Sequence, residues 1–298
     1  MFLQTILEVE MHHTNRREFL QQSLALGAAA AFPAAAWPAA PLHANDVIEL
    51  GPAKVKVSRL AMGTGTFGGG RSSNQMRKLG ADGVADLWWD GFDNGLFFWD
   101  TADGYGSHDA IKAALKKIPR EKVAILTKTA ARTADAMKAD LDRFRQEMGT
   151  DYIDIVLLHS RMSAKWDELD KGPMDVLSEA KEKKIVRTMG ISCHSRGAME
   201  AAIKSPWLEV CLARINPISA RMDVSTPDML QLLARLRAAG KGIIGMKILA
   251  EGQMKDRIDE ALRFTLTQGA VDAFTIGMES RAELKDIRER IPKLSQPA

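Results

Sequence analysis

Ile155-Val156-Leu157-Leu158-His159 decides the fold, because it is an apolar run without polar alternation that ends abruptly in a histidine. A strand with one solvated face alternates apolar and polar side chains, whereas a strand of a parallel sheet that is covered on both faces is apolar throughout. The run therefore predicts a strand in a parallel sheet that is buried on both faces.

Similar apolar runs recur along the chain and predict seven further strands, at residues 60–63, 96–100, 123–128, 187–192, 210–216, 242–249 and 273–278. The stretches between them repeat apolar residues every three or four positions, which is typical of amphipathic helices. Eight β/α units in about 250 residues is the usual size of a TIM barrel. Two short runs around Gly51-Pro52 add a β-hairpin. The sequence thus predicts an α/β fold, a (β/α)8 TIM barrel with a short N-terminal β-hairpin.

An open, doubly wound α/β sheet is the competing architecture. Such a sheet usually carries a glycine fingerprint directly after a strand. Gly63-Thr64-Gly65-Thr66-Phe67-Gly68 resembles that fingerprint only loosely, and a lone match of this kind is weak. The barrel is therefore preferred, and the glycines predict a loop that lets a cofactor or substrate approach the backbone closely.

The composition excludes several classes of protein. The 298 residues include 41 basic and 38 acidic side chains, and the net charge of +3 is spread evenly along the chain. Nucleic-acid binding usually needs a concentrated basic surface, so no nucleic-acid partner is expected. Cys193 and Cys211 lack metal-ligand spacing, so no metal is expected. Their places on neighbouring parallel strands predict thiols too far apart for a disulfide.

Residues 1–44 have the character of an export signal. Arg16-Arg17 precedes an alanine-rich apolar run at residues 23–40, and Leu42-His43-Ala44 has the small-residue pattern of a cleavage site. This arrangement resembles a bacterial twin-arginine signal, and the prolines near its end disfavour a membrane-spanning helix. It predicts that residues 45–298, as a single domain, reach the periplasm or the medium through the twin-arginine machinery, without a stable membrane anchor.

Polar side chains follow three neighbouring barrel strands where each strand ends. The second strand ends at Asp100 with Tyr105 shortly after it, the third ends at Lys128, and the fourth ends at His159. TIM-barrel active sites form at the carboxyl ends of the strands, so we expect these four side chains to converge. A structural ion pair, a core histidine and a packing tyrosine are the alternatives for each residue taken singly.

The four residue types together fit the reduction of a carbonyl. The oxygen of a carbonyl that accepts hydride becomes negative and must be protonated, and Tyr105 can donate that proton. Lys128 is expected to lower the pKa of Tyr105, because an ammonium favours phenolate, and Asp100 is expected to hold Lys128 in place. His159 is expected to donate a hydrogen bond that orients and polarises the carbonyl.

At these residues the chain resembles the aldo-keto reductase superfamily. The family pattern Asp-Thr-Ala-x-x-Tyr-Gly is met by residues 100–106, the lysine after the next strand by Lys128, and the Leu-His strand end by His159. The resemblance extends over about residues 47–291. It implies a (β/α)8 barrel that reduces an aldehyde, ketone or sugar carbonyl with NADPH or NADH, and in which Tyr105 is the general acid.

The resemblance also implies contacts to the nicotinamide, which this sequence meets in part. Ser192 matches a family serine that holds the carboxamide, but Cys193 and Arg214 stand where an asparagine and a glutamine are usual. Met246 and Lys247 stand where the family often stacks an aromatic side chain on the nicotinamide. A thioether also packs against aromatic rings, so Met246 is expected to take that role.

The far end of the cofactor is expected near Gly277 and Arg281, where family members bind the adenosine 2′-phosphate. Glu279 disfavours a phosphate there, so the choice between NADH and NADPH stays open.

Two other functions remain as alternatives. A nucleotide-binding barrel with a sensor or binding role and little turnover is suggested by the unusual nicotinamide positions. A glycoside hydrolase would need two carboxylates flanking the bond, and Asp100 with Asp103 is the available pair.

Overall fold

The computed structural model of the protein describes residues 40–296. Residues 1–39, which carry the paired arginines and most of the apolar run, lie outside the described residues. Within residues 40–296, no helix combines the length and the apolar character that a membrane crossing requires.

The strands follow one another along the chain as a short pair and then a set of eight: β1 Val47–Leu50, β2 Val55–Ser58, β3 Leu60–Gly63, β4 Phe98–Asp100, β5 Ala124–Thr129, β6 Ile153–Arg161, β7 Val186–Cys193, β8 Val210–Arg214, β9 Gly242–Met246 and β10 Ala273–Gly277. Strands β3 to β10 pair in parallel with their neighbours, and β10 pairs with β3 to close the barrel. The predicted (β/α)8 TIM barrel is confirmed.

Helices separate the barrel strands: α1 Asn74–Asp93, α2 His108–Ala114, α3 Ala134–Met148, α4 Trp166–Leu169, α5 Lys171–Glu182, α6 Arg196–Lys204, α7 Thr226–Ala238, α8 Ile258–Thr267 and α9 Arg281–Leu294. Several of them begin at a hydroxyl side chain that accepts a hydrogen bond from the first turn, namely at Ser73, Thr133, Ser195, Ser225 and Ser280. Such caps satisfy amide groups that a helix start leaves unpaired.

The barrel wall separates two apolar layers. Ile155 and Leu157 belong to the layer inside the barrel, whereas Val156 and Leu158 belong to the layer between the strands and the helices. Because consecutive side chains of a strand point to opposite faces, an unbroken apolar run is what a strand between two such layers requires.

The β1–β2 hairpin closes the amino-terminal end of the barrel. Its strands pair antiparallel, and Leu50, Val55 and Val57 are buried in the inner layer with Phe98 of β4. The predicted hairpin is therefore confirmed, and it forms the floor of the barrel.

The predicted strand ends differ from the observed ones by a few residues. The predicted seventh barrel strand ran to residue 249, but β9 ends at Met246 because Lys247 adopts a left-handed conformation with φ 61°. β6 is longer than predicted and continues past His159 to Arg161, with a register irregularity against β7. Both irregularities lie at the carboxyl ends of strands, where the site is built.

Candidate active site

The structure brings Asp100, Tyr105, Lys128 and His159 together at the carboxyl ends of β4, β5 and β6. Asp100 is the last residue of β4, and Tyr105 ends the 3-10 turn Asp103–Tyr105 that follows. Lys128 and His159 lie close to the ends of β5 and β6. The parallel register sets these strand ends side by side.

The Lys128 ammonium is buried and forms hydrogen bonds with the last residue of β4 and with the residue after it. Lys128 is 1% exposed and Asp100 is 5% exposed. The ammonium donates to the Asp100 carboxylate, and it donates to the carbonyl oxygen of Thr101 at 2.7 Å. A buried charge is tolerated when a partner of opposite charge and further hydrogen bonds satisfy it. Asp100 therefore fixes the position of Lys128, as the sequence led us to expect.

Tyr105 lies between the lysine and the histidine. Its ring centroid is 4.9 Å from the Lys128 Nζ and 5.7 Å from the His159 ring centroid, with the two rings nearly perpendicular. The phenol, the ammonium and the imidazole thus surround one point at the barrel mouth.

The pKa of Tyr105 is raised rather than lowered in this structure. Burial raises the pKa of Tyr105 above its ordinary value of 10.0, and the Lys128 ammonium opposes that effect without overcoming it. Asp100 adds to the increase, because a carboxylate disfavours phenolate. Lys128 therefore lowers the pKa of Tyr105 as expected, but burial outweighs its effect, and the phenol keeps its proton at neutral pH.

His159 shows the opposite perturbation. Burial, and after it the charge of Lys128, lowers the pKa of His159 to about 3. The imidazole is therefore neutral at physiological pH and carries a single N–H. The buried Arg161 donates to the carbonyl oxygen of His159 at 2.8 Å and pairs with Asp170 at 2.6 Å, so it holds this part of β6 in place.

The loop between β3 and α1 packs directly on the Tyr105 ring. A Cβ atom on Gly65 would lie 2.6 Å from Cε2 of Tyr105, and one on Gly68 would lie 2.6 Å from its Cδ1. Carbon atoms normally approach to about 3.5–4.0 Å. Gly65 and Gly68 therefore make room for the tyrosine, and because Gly65 also lines a cavity, the close approach of a cofactor or substrate stays a prediction.

An ionic network anchors the turn that carries Tyr105. Arg143 of α3 makes two hydrogen bonds to Asp103, at 2.7 and 3.0 Å, and Arg71 reaches both Asp103 and Glu147. The buried His108 also bonds to Glu147, at 2.7 Å. Asp103, His108 and Glu147 have ligand atoms within 4.8 Å of one another, but the two guanidinium groups satisfy both carboxylates. The cluster is an ion-pair network that connects three elements.

This network also bears on the glycoside hydrolase alternative. That chemistry needs two available carboxylates, yet Asp103 is paired with arginine and Asp100 is paired with Lys128. The geometry therefore disfavours it.

A cavity of about 560 Å³ opens beside Asp100, Tyr105 and Lys128, whereas His159 is not among the residues that line it. Its inner end is lined by Asp100, Tyr105 and Lys128, and it extends past β3, β9 and β10 to the first turns of α9. The wall next to Tyr105 is largely apolar and includes Leu212, Met246, Ile248 and Ile276. This size and mixture of groups is usual for a small-molecule or cofactor site.

Residues 59–289 match the family described as the Aldo/keto reductase family. The chain belongs to that family. It is therefore an oxidoreductase of the NAD(P)H-using aldo-keto reductases, which confirms the resemblance of the motif residues.

Two curated relatives illustrate the match. One is an NAD/NADP-dependent indole-3-acetaldehyde reductase of Schizosaccharomyces pombe, 24% identical over 80% of this chain and 78% of the relative. The other is an NADH-specific methylglyoxal reductase of Escherichia coli, 26% identical over 59% of this chain and 60% of the relative.

Solved structures support the fold. A protein from Pseudomonas aeruginosa assigned to the aldo-keto reductases superimposes with a TM-score of 0.69 at 21% identity, covering 86% of this chain and 98% of that one. An aldo-keto reductase from Bacillus halodurans gives a TM-score of 0.63 at 17% identity, covering 85% and 97%.

Three of the five cofactor residues that the family resemblance implied lie on the cavity wall, namely Met246, Lys247 and Gly277. Ser192 is fully buried, and its hydroxyl accepts from the Ser160 amide at 2.9 Å. Arg281 faces a different groove, which it lines with Asp90, Lys285 and Arg288. The start of this helix was therefore predicted correctly, but Arg281 lies on the side of the helix that faces away from the cavity.

The residues that replace family positions have partners of their own. Arg214 pairs with Asp223 at 3.0 Å and contacts the His194 ring. Burial, and then the Arg214 charge, lowers the pKa of His194 to about 3. His194 is thus a half-buried, neutral partner of the half-buried Arg214.

The cysteines lie closer together than predicted. The sulphur atoms of Cys193 and Cys211 are 3.7 Å apart, and both thiols are free. The β7–β8 register pairs Ile191 with Cys211, which places Cys193 two residues along on the same face. The two thiols are therefore neighbours without a bond between them, because 3.7 Å exceeds the length of an S–S bond, about 2.05 Å.

Proposed function

We propose that the protein reduces an aldehyde, ketone or sugar carbonyl and that Tyr105 is the general acid. The observation that carries this proposal is a protonated phenol that lines the cavity together with a buried lysine–aspartate pair and packs edge-on against a neutral imidazole. The aldehyde substrates named for two relatives support a small carbonyl compound as substrate.

Tyr105 and His159 have different roles in the proposed reaction. The pKa of His159 is lowered to about 3, so at neutral pH it has no acidic proton to give. The pKa of Tyr105 is raised, so it retains its phenolic proton. Tyr105 donates this proton to the carbonyl oxygen, and the neutral His159 N–H orients that oxygen by a hydrogen bond.

Lys128 stabilises the state that follows proton transfer. When Tyr105 gives up its proton it becomes phenolate, and the ammonium 4.9 Å from its ring centroid then faces a full negative charge. Such an interaction is strong in a buried site. Asp100 keeps the ammonium in position and prevents its burial from being costly.

The cavity fits the family's cofactor. Its apolar inner wall suits a nicotinamide ring, and Met246 offers a thioether that packs on aromatic faces. The Thr275 hydroxyl is buried without a hydrogen-bond partner on the same wall, which leaves a polar contact for a ligand. When bound, NAD(P)H supplies the hydride for the carbonyl carbon.

Substitution of the two tyrosines tests the assignment, because the chain has only Tyr105 and Tyr152. Tyr105→Phe is expected to lower kcat for aldehyde reduction by about 100- to 10,000-fold, the usual contribution of a general acid. Tyr152→Phe is the matched control and is expected to keep full activity. Equal activity of the two variants would sink the role of Tyr105.

The sensor alternative predicts a different pattern. A nucleotide-binding barrel with little turnover would bind NAD(P)H, seen as quenching of tryptophan fluorescence, without oxidising it in the presence of any carbonyl compound. Turnover by the wild-type chain with a panel of small aldehydes distinguishes the two functions.

We also propose that the enzyme acts outside the cytoplasm after export by the twin-arginine machinery. The proposal is supported by Arg16-Arg17 and the apolar run that follows it. Fractionation of cells expressing the full chain tests it, with the Arg16→Lys/Arg17→Lys double variant as comparison. Wild type is expected in the periplasm and the variant in the cytoplasm, and equal distribution of both would contradict the proposal.

A further inference from the structure

The outer end of the cavity is lined by carboxylates. Glu279, Glu283 and Asp286, from the beginning of α9 and the residues before it, all contribute to its wall. Resting on the proposed function, we propose that these three carboxylates make the protein selective for NADH against NADPH.

The position of the carboxylates within the cavity decides which part of a dinucleotide they meet. Tyr105 protonates the substrate oxygen, so the nicotinamide must lie at the inner end, beside the carbonyl carbon. β3 separates β4, which leads to Tyr105, from β10, which leads to α9. The carboxylates therefore follow a strand two places round the barrel from the one that leads to Tyr105, and we place the adenosine half of the cofactor at that end of the cavity.

Each carboxylate forms an ion pair or a hydrogen bond with a neighbouring residue, and all three still line the cavity. Glu279 pairs with Lys78 of α1, and Asp286 pairs with Arg290 at 2.7 Å. Glu283 accepts from the Glu279 amide at 2.7 Å. No ion pair of the described residues involves Glu283, so at least one carboxylate is available to a ligand.

On the cavity wall itself the basic side chains do not balance the carboxylates, because Lys78 and Arg290 are not among the residues that line it. Lys255 is on the wall, but so is Glu251, and Lys247 pairs with Glu251. The arginine that the sequence suggested for a phosphate, Arg281, lines the other groove with Lys285. A phosphate placed at this end would therefore meet more negative than positive charge.

The two cofactors differ at one group. NADH presents adenosine ribose hydroxyls, which donate hydrogen bonds to carboxylates, whereas NADPH replaces one hydroxyl with a phosphate, which a positive side chain normally accommodates. The phosphate carries a charge of nearly −2 at neutral pH and is repelled by carboxylates at close range. Selectivity thus arises both from hydrogen bonds gained by NADH and from repulsion of NADPH.

Isothermal titration of the purified protein with NADH and with NADPH tests the proposal by binding alone. NADH is expected to bind about tenfold more tightly than NADPH at low ionic strength, corresponding to about 1.4 kcal/mol. Added salt screens the repulsion, so the ratio of the two dissociation constants is expected to fall towards one as salt is raised.

Neutral isosteres identify the residues responsible. Glu283→Gln/Asp286→Asn is expected to strengthen NADPH binding at least threefold and to leave NADH binding equal or weaker. Glu279→Gln is a single-site alternative if the double variant fails to fold. Glu289→Gln is the matched control, because Glu289 is on the same helix but lines the other groove, and it is expected to change neither constant.

The possible failures are separable. Equal affinity of the wild type for NADH and NADPH, or the same change for both cofactors in the isostere variants, overturns the selectivity and leaves the reductase proposal standing. Binding of neither dinucleotide overturns the proposed function itself.

Discussion

Replacing Gly65 with alanine is expected to lower turnover about 100-fold while leaving the barrel folded. The new methyl carbon would lie 2.6 Å from both Cε2 and Cζ of Tyr105 and 3.0 Å from its hydroxyl oxygen. Because ordinary carbon contacts are about 3.5–4.0 Å, the ring has to move by about 1 Å. The strain of such an insertion is typically about 1–3 kcal/mol.

The expected magnitude comes from that displacement. A misplacement of about 1 Å costs roughly 100-fold in rate when reacting atoms must be aligned. Tyr105 must reach the substrate oxygen while staying beside Lys128, so a shift of its ring affects both proton donation and the stabilisation of the phenolate. The loss should appear in kcat at saturating cofactor and substrate.

The assay is steady-state reduction of a small aldehyde, followed by the absorbance of the reduced cofactor. Gly69→Ala is the control, since it lies in the same loop and a Cβ there meets nothing within 4 Å. Thermal unfolding shows whether Gly65→Ala is folded. A folded Gly65→Ala variant with activity within threefold of Gly69→Ala would refute the packing argument.

Three further outcomes are expected. Because Tyr105 must be protonated and its pKa is raised above 10.0, the reduction rate should stay level through neutral pH and fall only above pH 10. The pKa of His159 is lowered to about 3, so an inflection of the rate near pH 6.5 that disappears in His159→Gln would disprove the neutral state assigned to His159. Lys128→Met leaves Asp100 buried without its cation, so urea unfolding should show a loss of about 3–5 kcal/mol; unchanged stability would mean that the pair is not buried as described. Asp154→Ala removes a buried carboxylate that accepts from Arg120 and from the Ile125 amide at the start of β6, far from the site, so stability should fall by about 1–3 kcal/mol while kcat stays within twofold, and a large drop in kcat of the folded variant would contradict this separation.

Much of the site follows from chain order. In a closed parallel barrel the last residues of successive strands are neighbours, so locating the strand ends at Asp100, Lys128 and His159 was enough to bring their side chains together. The motif spacing then placed Tyr105. The lengths of the strands were predicted less accurately. β9 stops where Lys247 takes a left-handed conformation, and no local sequence pattern predicts that conformation for a lysine.

Other features depend on distances that a linear pattern does not contain. The contact of Gly65 with the Tyr105 ring joins two separate loops. The pKa of Tyr105 is the balance of burial against two opposite charges, and only the packed site shows that burial prevails. The direction of Arg281 depends on the phase of α9, because Arg281 and Glu283 are two residues apart and face nearly opposite sides of the helix, Glu283 towards the cavity and Arg281 towards the other groove.

Within residues 40–296, the hairpin that fills the base of the barrel leaves the barrel open only at the carboxyl ends of its strands. Leu50 and Val57 block the amino-terminal end, so every reactant enters and every product leaves through the mouth at the carboxyl ends of the strands. Under the proposed function, the cofactor and the carbonyl compound would therefore share this entrance, and whichever of them binds deeper would have to enter before the other.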